Sequence, residues 1–297
     1  MNPENMRAML FMVLSMALFA TEDFFIKIAT AGMPAMQVLF VLSVGGAFIF
    51  GSICLARGMP LISRDLLLPG VAARNGAEIV ATVCFITALS LIPLSLAAAI
   101  LQATPIFVTA GAAIWLGETV GWRRWLAVLV GLFGVLLILR PGFEGFRPPA
   151  LLALVAAMGL ATRDVVSRRI PRRISTVQLS FWAYALLSVV SAVLMVPGGV
   201  SLDAGVTAWR AAGFATVLGV FGYAVLTAAT RLGDVSAVIP FRYTRLIFAL
   251  AIGTTLLGER PDALTLIGAA IVVSAGLYAI WRERQVRRIV PFSRTAR

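Results

Sequence analysis

Long apolar stretches separated by short polar connections run along the whole chain. Ten of them approach the roughly 20 residues that a helix needs to cross a bilayer. They lie near residues 7–29, 33–56, 68–91, 93–117, 123–141, 148–168, 175–197, 208–230, 235–257 and 262–282. Because the connections are short, consecutive helices are antiparallel and no soluble domain fits between them. The pattern predicts an all-α membrane protein with ten transmembrane helices.

The pattern of residues also repeats at a fixed offset of 141 positions. Residues 20–23 (ATED) return as residues 161–164 (ATRD), and the Leu-Gly-Glu of residues 116–118 returns at 257–259. Three single matches follow the same offset: Lys27 with Arg168, Gln37 with Gln178, and Ser95 with Ser236. Each repeat holds five helices, so the second starts from the opposite side of the membrane. We therefore predict two inverted five-helix repeats, residues 1–143 and 144–297, with a substrate path between them.

Composition supports the membrane class and excludes several others. The chain is 60% hydrophobic and only 13% charged, whereas soluble domains carry about 25% charge. It contains no histidine, no GxxxxGK[ST] phosphate loop and no Gly-x-Ser-x-Gly. Cys54 and Cys84 both fall inside predicted spans, where packing is favoured over a disulfide. We expect no cofactor, no metal site and no enzymatic activity, with a membrane enzyme acting on lipid as a remote alternative.

The net charge of +12 raises nucleic acid as a partner, but the placement of the charge argues against it. If the N-terminus is cytoplasmic, 16 of the 25 cations lie in inside segments and four in outside loops. This asymmetry predicts cytoplasmic termini, and the single lysine is typical of a GC-rich bacterial genome, so we expect the bacterial inner membrane. The basic tail, residues 282–297, is expected to contact anionic lipid headgroups.

Several motifs resemble a known family. Pro105 lies in the fourth helix, which runs into Trp115-Leu116-Gly117-Glu118 and a Gly-rich fifth helix. With ten spans in two inverted halves, this resembles the drug/metabolite transporter superfamily and, within it, the EamA group. The second repeat departs from the pattern, because Leu246 stands where Pro105 stands and Pro240 comes earlier. The resemblance implies movement of a small solute between the halves; a homodimer is left open.

Nine ionisable residues fall within the predicted spans. They are Glu22, Asp23, Lys27, Arg74, Glu78, Arg163, Asp164, Arg242 and Arg245. Each costs about 2.5–3.5 kcal/mol at a helix centre, so such residues face the bundle interior or a water-filled path. At about 1.5 Å per residue, Glu78 and Arg245 lie about 15 Å deep, near the midplane. The repeat offset places Tyr243 opposite Gln102, also at the centre.

These central residues predict a substrate site at the junction of the repeats. The predicted substrate-binding residues are Arg74, Glu78, Gln102, Trp182, Arg242, Tyr243 and Arg245. Arg245 is expected to hold an anionic or carbonyl oxygen, while Tyr243 and Trp182 stack on an apolar part. The alternatives are a purely structural Glu78–Arg245 ion pair and a core position for Trp182.

A second group of charges lies toward the span ends. Glu22, Asp23 and Lys27 are in the outer part of helix 1, and Arg163, Asp164 and Arg168 are in the inner part of helix 6. Their mirrored placement predicts gating ion pairs, or proton coupling through Glu22 or Asp23. Structural pairing and snorkelling at span ends are the alternative.

The substrate is the least determined property. Residues 21–27 (TEDFFIK) resemble the first helix of the bacterial riboflavin transporters in this group. That resemblance implies riboflavin uptake, although riboflavin is neutral and does not account for so many buried charges. Export of amino acids or related metabolites is the alternative.

Overall fold

The computed structural model describes residues 3–117, 121–141, 146–171, 173–232 and 238–289. Within them the chain is helical and contains no strand, which confirms the predicted all-α class. The helices are α1 (Pro3–Gly32), α2 (Ala35–Ala56), α3 (Pro69–Leu91), α4 (Leu94–Leu101), α5 (Thr104–Leu116), α6 (Trp122–Leu139), α7 (Ala150–Ser167), α8 (Thr176–Gly198), α9 (Val206–Leu232), α10 (Thr244–Thr255) and α11 (Ala263–Ile289). Glu118, Ser236 and the end of the basic tail lie outside the described residues.

Most of the predicted spans are single helices long and apolar enough to cross a membrane. Eight such stretches occur in the described residues, with Trp125–Leu139 of α6 as a shorter apolar helix. The fourth predicted span is broken rather than continuous, because α4 ends at Leu101 and α5 begins at Thr104. The ninth starts with a 3-10 turn, Ile239–Tyr243, before α10.

The two breaks are related by the repeat. Adding 141 to Gln102, the residue directly after α4, gives Tyr243, where the 3-10 turn ends. Pro105 lies at the start of α5 and Pro240 at the start of the 3-10 turn. Proline has no N–H to donate and fits only the first turn of a helix, so each break follows from local sequence. Discontinuous helices of this kind supply binding sites near the midplane in inverted-repeat transporters.

The halves interlock through equivalent helices. α1 of the first half packs on α9 of the second, and α3 packs on α7 in the same way. α2 contacts α8 and α6 contacts α11, each a pair of repeat-related helices, and α4 of the first half contacts α10 of the second. These exchanges are what a two-fold relation between five-helix units requires, so the long helices around the middle of the bundle come from both repeats.

The repeated anchor residues have equivalent structural roles. Gln37 donates to the carbonyl of Ser201 at 3.0 Å, and Gln178 donates to the carbonyl of Pro60 at 2.7 Å. Ser201 and Pro60 are themselves 141 positions apart. Gly117 and Gly258 both adopt left-handed φ values, +67° and +64°, just beyond the ends of α5 and α10. Glycine is favoured there because it has no Cβ to oppose this conformation.

The turn before α11 is fixed by a carboxylate outside the spans. Asp262 accepts a hydrogen bond from the backbone N–H of Thr265 at 2.8 Å and pairs with Arg140. Partial burial raises the pKa of Asp262, but the bonds from Thr265 and Arg140 outweigh it and hold that pKa below its ordinary value.

Candidate functional site

A cavity of about 220 Å³ lies where the two halves and the helix breaks meet. Six of the seven residues predicted to bind substrate line it: Arg74, Glu78, Gln102, Arg242, Tyr243 and Arg245. Three of the residues predicted to gate or couple also line it: Glu22, Asp23 and Arg163. The two predicted groups therefore meet in one chamber, whereas the sequence had placed them at different depths.

Gln102 and Tyr243 mark the symmetry axis. They are repeat equivalents, and the side-chain amide of Gln102 donates to the backbone carbonyl of Tyr243 at 3.0 Å. Two equivalent residues can touch only near the axis that relates them. The Tyr243 ring is buried against α11, where the absence of a side chain at Gly276 leaves room for its hydroxyl. The helix breaks thus converge on the centre of the cavity.

Asp23 and Arg245 form a buried ion pair. The Arg245 guanidinium donates to both oxygens of Asp23 through three hydrogen bonds of 2.7, 2.9 and 3.2 Å. It also lies over the rings of Phe19 and Phe85, at 5.4 and 5.6 Å from the ring centroids. The alternative of a Glu78–Arg245 ion pair is therefore wrong, because Arg245 pairs with Asp23 and Glu78 pairs with Arg163.

A second group of charges lies between α3, α7 and the break before α10. Arg163 donates to Glu78 at 3.0 and 3.1 Å and to Asp164 at 2.8 and 2.9 Å. Arg74 is 3.4 Å from Glu78, and Arg242 is 3.5 Å from Asp164. Arg163 thus occupies the centre of this group, and within the described part of the chain the contact of Arg242 with Asp164 is the longest of the group.

Glu22 differs from the other carboxylates of the cavity. It lines the cavity wall, and among the described residues it has no ion-pair or hydrogen-bond partner. Its carboxylate lies against α9 at Gly219, where a Cβ would come within 2.4 Å of Oε1. Arg245 is close enough to act on Glu22 electrostatically, but its donors are directed at Asp23.

Four predicted site residues do not line the cavity, namely Trp182, Arg168, Lys27 and Asp164, and of these Asp164 contacts the lining residues Arg163 and Arg242. Trp182 is buried in a cluster with Val71 and Ile174, and its indole N–H donates to the carbonyl of Leu61 at 2.7 Å. The prediction that Trp182 stacks on substrate is wrong, because its indole N–H links α8 to the α2–α3 connection and its ring is buried. Trp182 is therefore a core residue. Arg168 is exposed at the end of α7.

Lys27 lies near the C-terminal end of α1, and main-chain oxygens hold it there. We call the side of the bundle at this end of α1 the far side. The Lys27 ammonium donates to the carbonyls of Leu89 and Ile92 at 2.8 and 2.5 Å. These carbonyls belong to the last turn of α3, where a cation compensates the helix dipole. Lys27 therefore stabilises a helix end, and its predicted part in gating stays a prediction.

Glu259 makes a contact that the sequence did not reveal. Its carboxylate accepts from the backbone N–H groups of Leu94 and Ser95 at 2.6 and 2.9 Å, at the start of α4. It is the Glu of the second Leu-Gly-Glu, and the turn at Gly258 directs it toward the first repeat. The repeated motif was visible, but only the fold shows that it joins the two halves on the far side.

Aromatic residues of the cavity were also missed. Phe19, Phe85, Tyr184 and Tyr223 line it, and all four lie in long apolar runs that carry no signal of their own. Within the described residues no three His, Cys, Asp or Glu side chains come together as metal ligands. The chamber can therefore hold an organic solute through charges, one amide and aromatic faces.

Known proteins match this chain along most of its length. The S-adenosylmethionine uptake transporter of Rickettsia bellii (strain RML369-C) is 28% identical over 200 residues, 66% of this chain and 67% of that protein. The riboflavin transporter of Vibrio cholerae serotype O1 is 28% identical over 198 residues, 66% of each chain. The pseudopaline exporter CntI of Pseudomonas aeruginosa (strain UCBPP-PA14) is 26% identical over 264 residues, 89% of this chain and 92% of that one.

A solved crystal structure supports the fold alone. It superposes with a TM-score of 0.66 over 94% of this chain and 98% of its own, at 20% identity. The sequence profile of the EamA-like transporter family matches residues 6–140 and again residues 147–281. The two matches together cover nearly all of the chain and correspond to the duplicated five-helix unit. The chain is therefore a multi-pass membrane protein that belongs to the EamA-like transporter family.

Proposed function

We propose that this protein is a secondary transporter that moves a small polar organic solute across the bacterial inner membrane by alternating access, with both termini in the cytoplasm. The observation that supports this best is the charged cavity at the junction of the repeats, where the breaks after Gln102 and Tyr243 converge. Solutes bind at this place in inverted-repeat transporters, and the halves then rock around the site. The sequence has no phosphate loop for ATP, which favours transport driven by gradients.

Size favours a compact solute. The cavity of about 220 Å³ is smaller than the roughly 300–1,000 Å³ of sites for drug-sized ligands. A cavity of this size suits a solute of amino-acid size. The relatives named above include one uptake transporter and one exporter, so they support both directions.

Riboflavin uptake is the second candidate. It is favoured by residues 21–27 and by the relative in Vibrio cholerae that is 28% identical. Against it stands the neutral charge of riboflavin, which leaves the charged residues of the cavity wall without a counterpart.

Flux into proteoliposomes tests the proposed function. The full chain is reconstituted, and uptake of labelled S-adenosylmethionine, riboflavin and the common amino acids is measured with the unlabelled solute inside. We expect saturable exchange of at least one solute. Gln102→Ala removes one hydrogen bond at the cavity centre and is expected to lower the rate about 2- to 10-fold.

The matched control is Ser52→Ala, since Ser52 is exposed and bonds only within its own helix. It is expected to exchange solute at the wild-type rate. Absence of saturable exchange for every solute, in protein that still shows a cooperative thermal transition, would overturn the proposed function.

A further inference from the structure

The repeat symmetry is broken at one point in the cavity wall. Glu22 and Arg163 occupy equivalent positions, and so do Gly219 and Glu78, because each pair is 141 residues apart. Where α7 meets α3, Arg163 and Glu78 form an ion pair at 3.0 Å. Where α1 meets α9, the equivalent residues are Glu22 and Gly219, and glycine has no side chain that could pair with the carboxylate. One half of the cavity thus has a complete ion pair, and the other half has a carboxyl group without a partner among the described residues.

The position of Glu22 depends on that glycine. A Cβ at residue 219 would lie 2.4 Å from Oε1 of Glu22, far inside the contact distance of two atoms, so only glycine admits the carboxylate there. No side chain among the described residues donates a hydrogen bond to it. Glu22 is half-buried and lines the cavity, so a ligand there can reach its carboxylate. A solute that brings its own cation supplies the partner that the protein does not.

The cavity as a whole has two poles. At one pole Glu22 and Asp23 face the single guanidinium of Arg245, which leaves a formal charge of −1 when all three are ionised. We call these three residues the negative pole.

The positive pole comprises Arg74, Glu78, Arg163, Asp164 and Arg242. Its three guanidiniums and two carboxylates leave a formal charge of +1 when all are ionised. Arg242 is its least engaged member, because its contact of 3.5 Å is with Asp164, which Arg163 already holds at 2.8 Å. Arg242 lines the cavity with 32% of its side chain exposed, so a ligand can reach it.

We propose that the transported solute is a zwitterion with an ammonium group and a carboxylate, as in an α-amino acid. Glu22 binds the ammonium group, and Arg242 binds the carboxylate. This inference rests on the proposed transport function and names the class of solute that the same cavity takes. A zwitterion adds no net charge to the cavity and pairs with both poles at once. A solute without charged groups pairs with neither pole.

Blocked derivatives of an amino acid test each contact separately. The twenty common amino acids, each labelled, are screened for exchange in proteoliposomes holding the full chain. The N-acetyl derivative and the methyl ester of the best solute are then measured as competitors. In the wild type we expect each derivative to bind about 10- to 100-fold more weakly than the free amino acid, which is the effect of losing one charge-assisted hydrogen bond.

The variants assign the two groups. Glu22→Gln is expected to abolish the preference over the N-acetyl derivative and to keep the preference over the ester. Arg242→Gln is expected to do the reverse. Asp65→Asn and Arg173→Gln are the matched controls. These two residues form an ion pair with an N···O distance of 2.6 Å, and neither of them lines the cavity. Both variants are expected to keep both preferences.

A second variant keeps the charge and moves it. Gly219→Ala displaces the Glu22 carboxylate without neutralising it, and we expect the preference over the N-acetyl derivative to fall as in Glu22→Gln. It answers the question even where Glu22→Gln does not fold.

The outcomes separate this inference from the proposed function. Exchange of riboflavin without exchange of any amino acid would overturn the zwitterion and leave the transporter standing. So would an amino acid whose blocked derivatives compete as well as the free form in the wild type. Absence of exchange for all solutes would overturn the proposed function, and the inference with it.

Discussion

The contact between Glu259 and α4 predicts a latch on the far side of the bundle. Glu259 belongs to the second repeat, and the N–H groups it accepts from, those of Leu94 and Ser95, belong to the first. The largest cluster of buried apolar side chains includes the ends of α1 and α3 and the start of α4 at the same side. Rocking that opens the far side separates the two repeats there, so it must break both hydrogen bonds.

The expected size of the effect follows from helix capping. Replacing a side chain that caps a helix N-terminus by alanine costs about 0.5–2 kcal/mol, and the charge of the carboxylate adds about 0.3–1 kcal/mol through the helix dipole. Together these give about 1–3 kcal/mol in favour of the closed far side. Because every 1.4 kcal/mol is a factor of ten, Glu259→Ala is expected to raise the population open on the far side about 5- to 150-fold.

Distances between two spin labels measure this population directly. The labels are attached at two exposed residues on the far side, Ala31 of the first repeat and Thr255 of the second, after Cys54 and Cys84 are replaced by alanine. We expect Glu259→Ala to shift the distribution toward longer distances. A distribution identical to that of the wild type, in protein with an unchanged melting temperature, would refute the latch.

The neighbouring residue supplies the control for this experiment. Arg260 is exposed and lies in the same turn, so Arg260→Ala changes a charge without touching the cap. Its distance distribution is expected to match the wild type. Glu259→Gln keeps an acceptor oxygen but loses the charge, and it is expected to fall between the wild type and alanine.

Three further predictions concern stability in detergent, measured by thermal or denaturant unfolding. Asp23→Asn leaves the buried Arg245 without its partner and is expected to cost about 3–5 kcal/mol, while replacing both residues by leucine recovers most of it; equal losses in the single and double variants would contradict this. Gly258→Ala forces a side chain into φ +64° and is expected to cost about 1–2 kcal/mol, whereas the control Gly121→Ala, at φ −65°, costs less than half as much. Asp262→Asn is expected to lower the melting temperature at pH 7. Because the folded pKa of Asp262 is depressed, its contribution is lost as pH falls below about 4, so the difference from the wild type should shrink there, and a constant difference would refute the assignment.

The architecture was predictable because it follows from two strong patterns. Apolar runs of membrane length gave the helices, and the 141-residue offset related the two halves. The prolines at positions 105 and 240 also pointed to irregular helices, but the break itself was not predicted. A helix break inside an apolar run is not marked by polar residues in the sequence. The structure reveals it at the place where Gln102 donates a hydrogen bond to Tyr243.

The membership of the cavity was predictable, but the pairing of its charges was not. Ionised residues in a bilayer must face inward, so Arg74, Glu78, Arg242 and Arg245 were found from position alone. Which cation pairs with which carboxylate depends on how each helix is rotated about its axis. Counting residues from the end of a span gives the depth of a side chain but not this rotation. For that reason Arg245 was matched with Glu78 at equal depth, although it lies against Asp23.

The repeat also shows why departures from symmetry are more informative than the symmetry itself. Positions kept in both halves, such as Gln37 and Gln178 or the glycines at 117 and 258, hold equivalent loops and turns, and they account for the fold. A duplicated chain that needed only stability could keep an ion pair at both the α3–α7 and the α1–α9 contact. It has Arg163 with Glu78 at one, and Glu22 with glycine at the other. Since an ionisable side chain within a membrane span is costly, the presence of a carboxylate without a partner at one of two equivalent sites favours a role in binding over a role in packing.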